Sequence, residues 1–275
     1  MPVAVRADQV AFTHDGEVAI APSSFEIPMG KITAVIGPNG SGKSTLLDGI
    51  AGLIEPSGGS LEVRPEDQQL IAYVLQTKKV NDTLPVTVRE VVTMGRYATK
   101  GAYGRLRDED QQMVEDSMQR MAITDLSDRH LNQLSGGQRQ RVFVAQGLAQ
   151  DHDMVLLDEP MTGLDMTSAE AIDAVIHDES AHGCTVVMST HDLAEAEAAD
   201  HVVLLSGGVV ASGPPAEVLT AEYLGQAYGS ASVHGAGDRL AIDDPAHQPG
   251  EGRHVHRDRS IHTEAFPDDK HGGHA

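Results

Sequence analysis

The chain has 275 residues and a formal net charge of −21, and its 40% hydrophobic content includes only 3% aromatic residues and no tryptophan. That supports a core of Val, Leu, Ile, Ala and Met in one large or two small domains. The negative charge repels phosphate backbones and anionic lipid surfaces, so nucleic acid is not an expected partner. No apolar run of about 18 residues or more occurs, and the N-terminal stretch lacks a charged segment ahead of an apolar one. A chain that neither spans a membrane nor carries a secretion signal is expected. The single cysteine, Cys184, lies in the apolar segment Cys184-Thr185-Val186-Val187-Met188, which reads as a small core residue in a reducing compartment. A reactive thiol would need an electropositive, exposed setting, and its sequence neighbours supply none.

In chain order, Val3 to Phe12 reads as a strand, Ser24 to Ile27 as a short extended piece, and Pro28-Met29-Gly30 as a turn into a strand over Ile32 to Ile36. Next comes Gly37-Pro38-Asn39-Gly40-Ser41-Gly42-Lys43-Ser44-Thr45, a complete GxxxxGK[ST] phosphate-binding loop. Its glycines let backbone N–H groups turn inward around phosphate oxygens, and the helix that follows, Ser44 to Ala51, adds a favourable dipole. Lys43 would reach the β- and γ-phosphates, and Ser44 would ligate Mg²⁺.

Strands are expected at Ser60 to Val63 and Ile71 to Gln76, then a helical stretch from about Thr87 to Ala149 with a cap at Asp108 and Gln111. Met154 to Leu157 is a fully apolar strand, Ser168 to His182 a helix, Thr185 to Ser189 a strand and Asp192 to Ala199 a helix. Strand alternating with helix implies parallel pairing with both faces covered. Val202 to Leu205 and Val209 to Ala211 read as a hairpin. Beyond Gly225 the composition turns to Gly, His, Asp, Pro and Arg, and residues 226–275 read as a disordered, histidine-rich tail. Its histidines could bind a transition metal or simply belong to a soluble extension.

Asp158 and Glu159 follow the Met154 strand, at the end where parallel sheets bind ligands. Asp158 would hold Mg²⁺, and Glu159 would polarise water toward a γ-phosphate.

With Leu134-Ser135-Gly136-Gly137-Gln138 the chain resembles the ATP-binding subunits of ABC transporters. Further matching pieces stand in the family's order: Tyr73-Val74-Leu75-Gln76 (Q-loop), Gly163-Leu164-Asp165 (D-loop) and Ser189-Thr190-His191-Asp192 (switch). The resemblance implies an α/β P-loop NTPase fold with an N-terminal antiparallel β subdomain, a mostly parallel core, and a helical insertion over about 85–150 within residues 1–225. It implies that two copies sandwich two ATP molecules head to tail. Each nucleotide would be held by Lys43, Ser44, Gln76 and Asp158 of one copy and by Ser135, Gly136, Gly137 and Gln138 of the other. Gln76 would also sense Mg²⁺, Asp165 would sit at the dimer interface, and His191 would contact the γ-phosphate and hold Glu159. Where the family stacks adenine on an aromatic residue, this chain has His14, with Phe12 as a substitute.

The resemblance further implies a membrane permease as partner, an extracytoplasmic metal-binding protein, and a place on the cytoplasmic face of the membrane. The stretches Pro85 to Tyr97 and Arg139 to Gln146 are similar to the zinc and manganese importer branch, and share elements with iron-chelate and cobalamin importers. An exporter stays open, and so, more distantly, does a soluble cassette ATPase without a permease.

Overall fold

The computed structural model describes residues 2–14, 16–65, 70–75, 85–100, 104–229, 233–236 and 239–242. Two strands, β1 (Val3–His14) and β2 (Glu17–Pro28), pair antiparallel and lead to β3 (Ile32–Ile36), the phosphate loop and α1 (Lys43–Ile50). Strand β4 (Gly58–Val63) returns to pair with β1, completing a three-stranded antiparallel sheet in the order β2-β1-β4.

The main sheet contains β5 (Ile71–Val74), β6 (Met154–Asp158), β7 (Thr185–Thr190), β8 (His201–Leu205) and β9 (Val209–Gly213) in the order β5-β6-β7-β3-β8-β9. All neighbours are parallel except the β8–β9 hairpin. Alternation across this sheet divides the core in two. Ile32, Ala34 and Ile36 join one cluster with the helices of the far face, whereas Val35 joins Phe12, Ile20, Leu46 and Leu47 beneath the small sheet. A strand buried on both faces is mostly apolar, which is why β3, apart from Thr33, and β6 up to Leu157 appear in the sequence as nearly continuous apolar runs.

Between β5 and β6 lie α2 (Val88–Met94), α3 (Tyr97–Lys100), α4 (Asp108–Arg120) and α5 (Gly136–Leu148). Thr87 caps α2 reciprocally with Glu90. Gly95 is required by close packing, since a Cβ there would lie 2.2 Å from the Gln146 carbonyl oxygen of α5. Next to it the buried Arg96 guanidinium bonds Asp110 Oδ1 at 3.0 Å, the Ala149 carbonyl at 2.7 Å and Asp151 Oδ1 at 2.9 Å. The helical insertion is thereby pinned to the end of α5. The remaining helices are α6 (Met166–Ala181), α7 (Leu193–Ala198), α8 (Pro215–Val218) and α9 (Ala221–Tyr228).

Three expectations change. Strand β2 is far longer than Ser24 to Ile27, because its partner β1 supplies a ladder across register shifts that local patterning does not reveal. The cap of α4 lies one residue earlier, with Arg107 N–H donating to Asp110 Oδ2 at 2.8 Å, because Asp110 is buried among cations rather than exposed beside Asp108. The boundary drawn at 225 falls inside α9, and β10 (Val233–Ala236) pairs antiparallel with β11 (Arg239–Ile242). Beyond 242, the tail lies outside the described residues.

Candidate functional site

The parallel register brings the ends of three strands together. Ile36 stands opposite Thr190 across β3 and β7, and Asp158 opposite Ser189 across β6 and β7. The phosphate loop, the paired acids and the switch segment therefore share one sheet edge, the C-terminal edge of the strands.

Within the loop, Gly40 and Gly42 have φ of 79° and 99°, a region glycine adopts freely. Gly37 meets a steric demand instead, since a Cβ there would lie 2.2 Å from the Leu205 carbonyl oxygen and 2.7 Å from Ser41 Oγ. Pro38 and Asn39 form the outer turn, closed by Ser41 N–H donating to the Pro38 carbonyl at 3.1 Å. Among the described residues, the buried Ser41 hydroxyl has no hydrogen-bond partner. Gly42 caps α1 without a side-chain acceptor, the form of helix start that suits a bound anion. Lys43 is buried, its ammonium donating to the Gly37 and Pro38 carbonyls at 2.8 and 3.2 Å, and Ser44 and Thr45 stand in the first turn.

Asp158 is only 2% exposed and accepts from Ser44 Oγ at 2.9 Å through Oδ2 and from Ser189 Oγ at 2.8 Å through Oδ1. The Ser189 hydroxyl also accepts from Glu159 N–H at 2.9 Å. Glu159 is one of three described non-glycine residues with positive φ, at 48°, a strained position at the head of the site. Ser189 belongs to the switch motif, and its place opposite Asp158 comes from the pairing of β6 with β7. Thr190 extends the same edge, donating to the buried Glu195 carboxylate and accepting from Asp192 N–H at 3.0 Å. His191 is half-buried between Thr190 and the N-cap of α7. Another missed contact is Tyr73, whose hydroxyl donates to Asp48 Oδ1 at 2.9 Å and links the Q-loop strand to α1; burial and the Asp48 carboxylate raise its pKa.

Gln76 and the His14 side chain lie outside the described residues. Phe12, the alternative platform for adenine, is wholly buried and packs against α1 so closely that a Cβ on Gly49 would lie 2.3 Å from its ring. It is a core residue, and the stacking expectation falls back on His14 alone.

Ser135 caps α5 with a closed box: its Oγ accepts from Gln138 N–H at 3.2 Å, and Gln138 Oε1 accepts from Ser135 N–H at 3.0 Å. Ser135 and Gly136 are exposed, and a Cβ on Gly136 would meet nothing within 4 Å. Gly137 instead faces the D-loop, where a Cβ would lie 2.5 Å from Asp165 Oδ2. Asp165 caps α6 through Ser168 N–H at 2.9 Å, a bond that lowers its pKa. Signature segment and D-loop are thus joined. Helix α5 packs on α2, α4, α6 and β5, whereas α1 packs on β1, β2, β6 and β7, so the two glycine-led helices have different main neighbours among the described residues.

A strand, a glycine loop with uncapped amides, and a buried carboxylate tied to the loop serine define a P-loop nucleotide-binding protein. A family model described as ABC transporter matches residues 20–162. The manganese transport system ATP-binding protein MntA of Synechocystis sp. is 36% identical over 82% of this chain and 90% of its own length. The zinc transport system ATP-binding protein TroB of Treponema pallidum is 35% identical over 88% and 94%. The chelated iron transport system membrane protein YfeB of Yersinia pestis is 39% identical over 85% and 83%. Among solved structures, an inward-facing conformation of a "metal-chelate type ABC transporter" superposes with a TM-score of 0.73 at 30% identity, covering 83% of this chain and 89% of that one. The dimeric post-hydrolysis state of the cassette MJ0796 bound to ADP and Pi gives 0.66 at 26% identity, over 77% and 98%. The chain belongs to the ABC transporter family, as an ATP-hydrolysing cassette that works with a membrane permease. Among the described residues no helix is long and apolar enough to cross a membrane.

Proposed function

We propose that two copies of this chain close head to tail around two ATP molecules and drive a permease that imports a divalent metal ion, zinc or manganese. The observation that supports the composite site is the contrast between its halves: α1 opens at Gly42 without a side-chain cap, while the N-terminus of α5, at Ser135 and Gly136, is exposed and packs with different elements from those around α1. In the dimer Lys43 turns from its loop carbonyls to the β- and γ-phosphates, and Ser135 with the Gly136 and Gly137 amides closes over the γ-phosphate from the partner copy.

Ser44 and Asp158 offer an all-oxygen donor pair on facing elements, suited to a hard cation, with Gln76 as a third ligand. Mg²⁺ bound there would neutralise charge developing on the phosphate oxygens. Glu159 polarises the attacking water, Ser189 fixes the backbone that presents it, and His191 holds the γ-phosphate end of the site. His14 stacks on adenine and Asp165 meets the partner copy. The cassette acts at the cytoplasmic face, with an extracytoplasmic metal-binding protein delivering the cargo.

The cargo reading rests on the names of MntA and TroB. YfeB, named for chelated iron, supports a second reading. Proteoliposomes holding the chain and its permease, supplied with ATP on the cassette side, are expected to take up radiolabelled zinc or manganese. Uptake of chelated iron alone would replace the cargo, and outward movement would reverse the direction. Glu159→Gln is expected to bind ATP, accumulate as a dimer on gel filtration, and lose about 100-fold or more in turnover. Normal steady-state hydrolysis by that variant would remove Glu159 from the catalytic role.

A further inference from the structure

At the opposite edge of the main sheet from the nucleotide, three side chains of different chemistry converge. His152 precedes β6, Glu179 lies in the last turn of α6, and Cys184 precedes β7. One ligand atom of each lies within 4.8 Å of the other two. The His152 and Glu179 side chains are 8% and 13% exposed, and Cys184 is 8% exposed.

Their positions are fixed by backbone. Thr185 N–H donates to the Asp153 carbonyl at 3.0 Å, and Cys184 N–H donates to the Glu179 carbonyl at 3.1 Å, so the three segments are locked before any side chain is considered. The side chains are then aimed. His152 Nδ1 lies 2.7 Å from the Gln150 carbonyl oxygen, which makes it the N–H donor and turns Nε2 inward. Nε2 stands 3.1 Å from Glu179 Oε2. The other oxygen, Oε1, is held at 2.6 Å by Arg120, which also binds Asp178 at 2.7 Å. The ring nitrogen and the carboxylate each carry an outer partner on the atom that faces away from the centre, an arrangement that orients metal ligands.

We infer that His152, Glu179 and Cys184 form a binding site for a thiophilic divalent cation of the zinc class, separate from the nucleotide site. Imidazole nitrogen, carboxylate oxygen and thiolate sulfur are the ligand types zinc takes, and a thiolate disfavours Mg²⁺ and Mn²⁺. Zinc bond lengths place neighbouring ligands about 3.4 to 3.8 Å apart, so the widest pair must close by about 1 Å. On binding, the metal replaces the Nε2 proton and the thiol proton, and both leave to solvent. The resulting charges of metal, thiolate and carboxylate cancel, with Arg120 remaining outside. The site lies at the starts of β6 and β7, whose far ends carry Asp158 and Ser189.

Cobalt(II) reports such a site directly, because Co²⁺–thiolate charge transfer absorbs in the near ultraviolet. Cys184 is the only cysteine, so the histidine-rich tail cannot produce that band. The full chain, stripped with chelator and kept reduced with a phosphine, is titrated with Co²⁺. A thiolate band saturating at one equivalent is expected, bleached by one equivalent of Zn²⁺ and unaffected by excess Mn²⁺. Cys184→Ser should abolish the band, and His152→Gln and Glu179→Gln should each weaken Co²⁺ binding about tenfold or more. Absence of the band in the unaltered chain would overturn the site and leave the cluster as an ion pair. A band that persists at the same affinity in both His152→Gln and Glu179→Gln would overturn it equally.

Discussion

Two helices in this chain begin with glycine-rich segments suited to phosphate, and they begin differently. Helix α1 starts at Gly42, which offers no side-chain acceptor, inside a loop whose lysine and serine are tied to Gly37, Pro38 and Asp158. Helix α5 starts at Ser135, which forms a complete reciprocal cap with Gln138 and stands exposed. The first has no side-chain cap, the form in which a helix start receives an anion. The second is self-sufficient and costs the monomer nothing to display. In the proposed dimer, a site divided in this way would let each copy stay folded alone while withholding catalysis until two copies meet.

Nucleotide binding and turnover should respond differently to changes at the two helix starts. Lys43→Ala is expected to weaken ATP binding to the single chain by about 100-fold, measured with a fluorescent ATP analogue. Gly136→Ala introduces a Cβ that meets nothing, so the melting temperature and monomer binding should hold while ATP turnover falls about tenfold. Equal losses of monomer binding in both variants would mean that the two helix starts are not independent. Ser189→Ala removes the hydroxyl between Asp158 and the Glu159 amide; a roughly tenfold drop in kcat with little change in nucleotide affinity is expected.

The smallest effect tests the helical side by pH. The Arg107 N–H, Lys100 and Arg96 hold the Asp110 carboxyl well below the usual carboxylate range. Its folded pKa is lower than its unfolded value of about 3.9, so the stability it contributes is complete above about pH 4 and is lost as pH falls through the folded value. Asp110→Asn should flatten the melting temperature over that acid window and leave its shape near neutrality unchanged.

Legibility from sequence followed how local each signal was. Ile32 to Ile36 and Met154 to Leu157 could be read because strands buried on both faces are nearly continuous in apolar residues, Thr33 being the exception here. The loop, the acids and the signature segment were equally legible, since each is a contiguous motif. What depends on partners distant in the chain was not. Strand β2 holds Pro22, Ser23 and Ser24, and is a strand because β1 pairs with it. Ser189 gains its place from β6, thirty-one residues away from it at Asp158. Phe12 looked available for a base until α1 folded against it. Cys184 read as a small buried residue and is one, but the imidazole beside it comes from the start of another strand, which no inspection of its own neighbours could supply.

Glu159 occupies a left-handed backbone position at φ 48°. Glycine is at ease there, so Glu159→Gly relieves about 1 kcal/mol of strain at the moment it deletes the carboxylate. The inactive product is therefore expected to be at least as durable as the original and to pass cellular quality control. In the proposed two-copy assembly, such a subunit would be a poison rather than a blank. Expressed at parity with the unaltered chain and pairing at random, it would enter about three quarters of the proposed dimers. The residue proposed to carry the chemistry is thus also the place where a single change would turn loss of function into dominance.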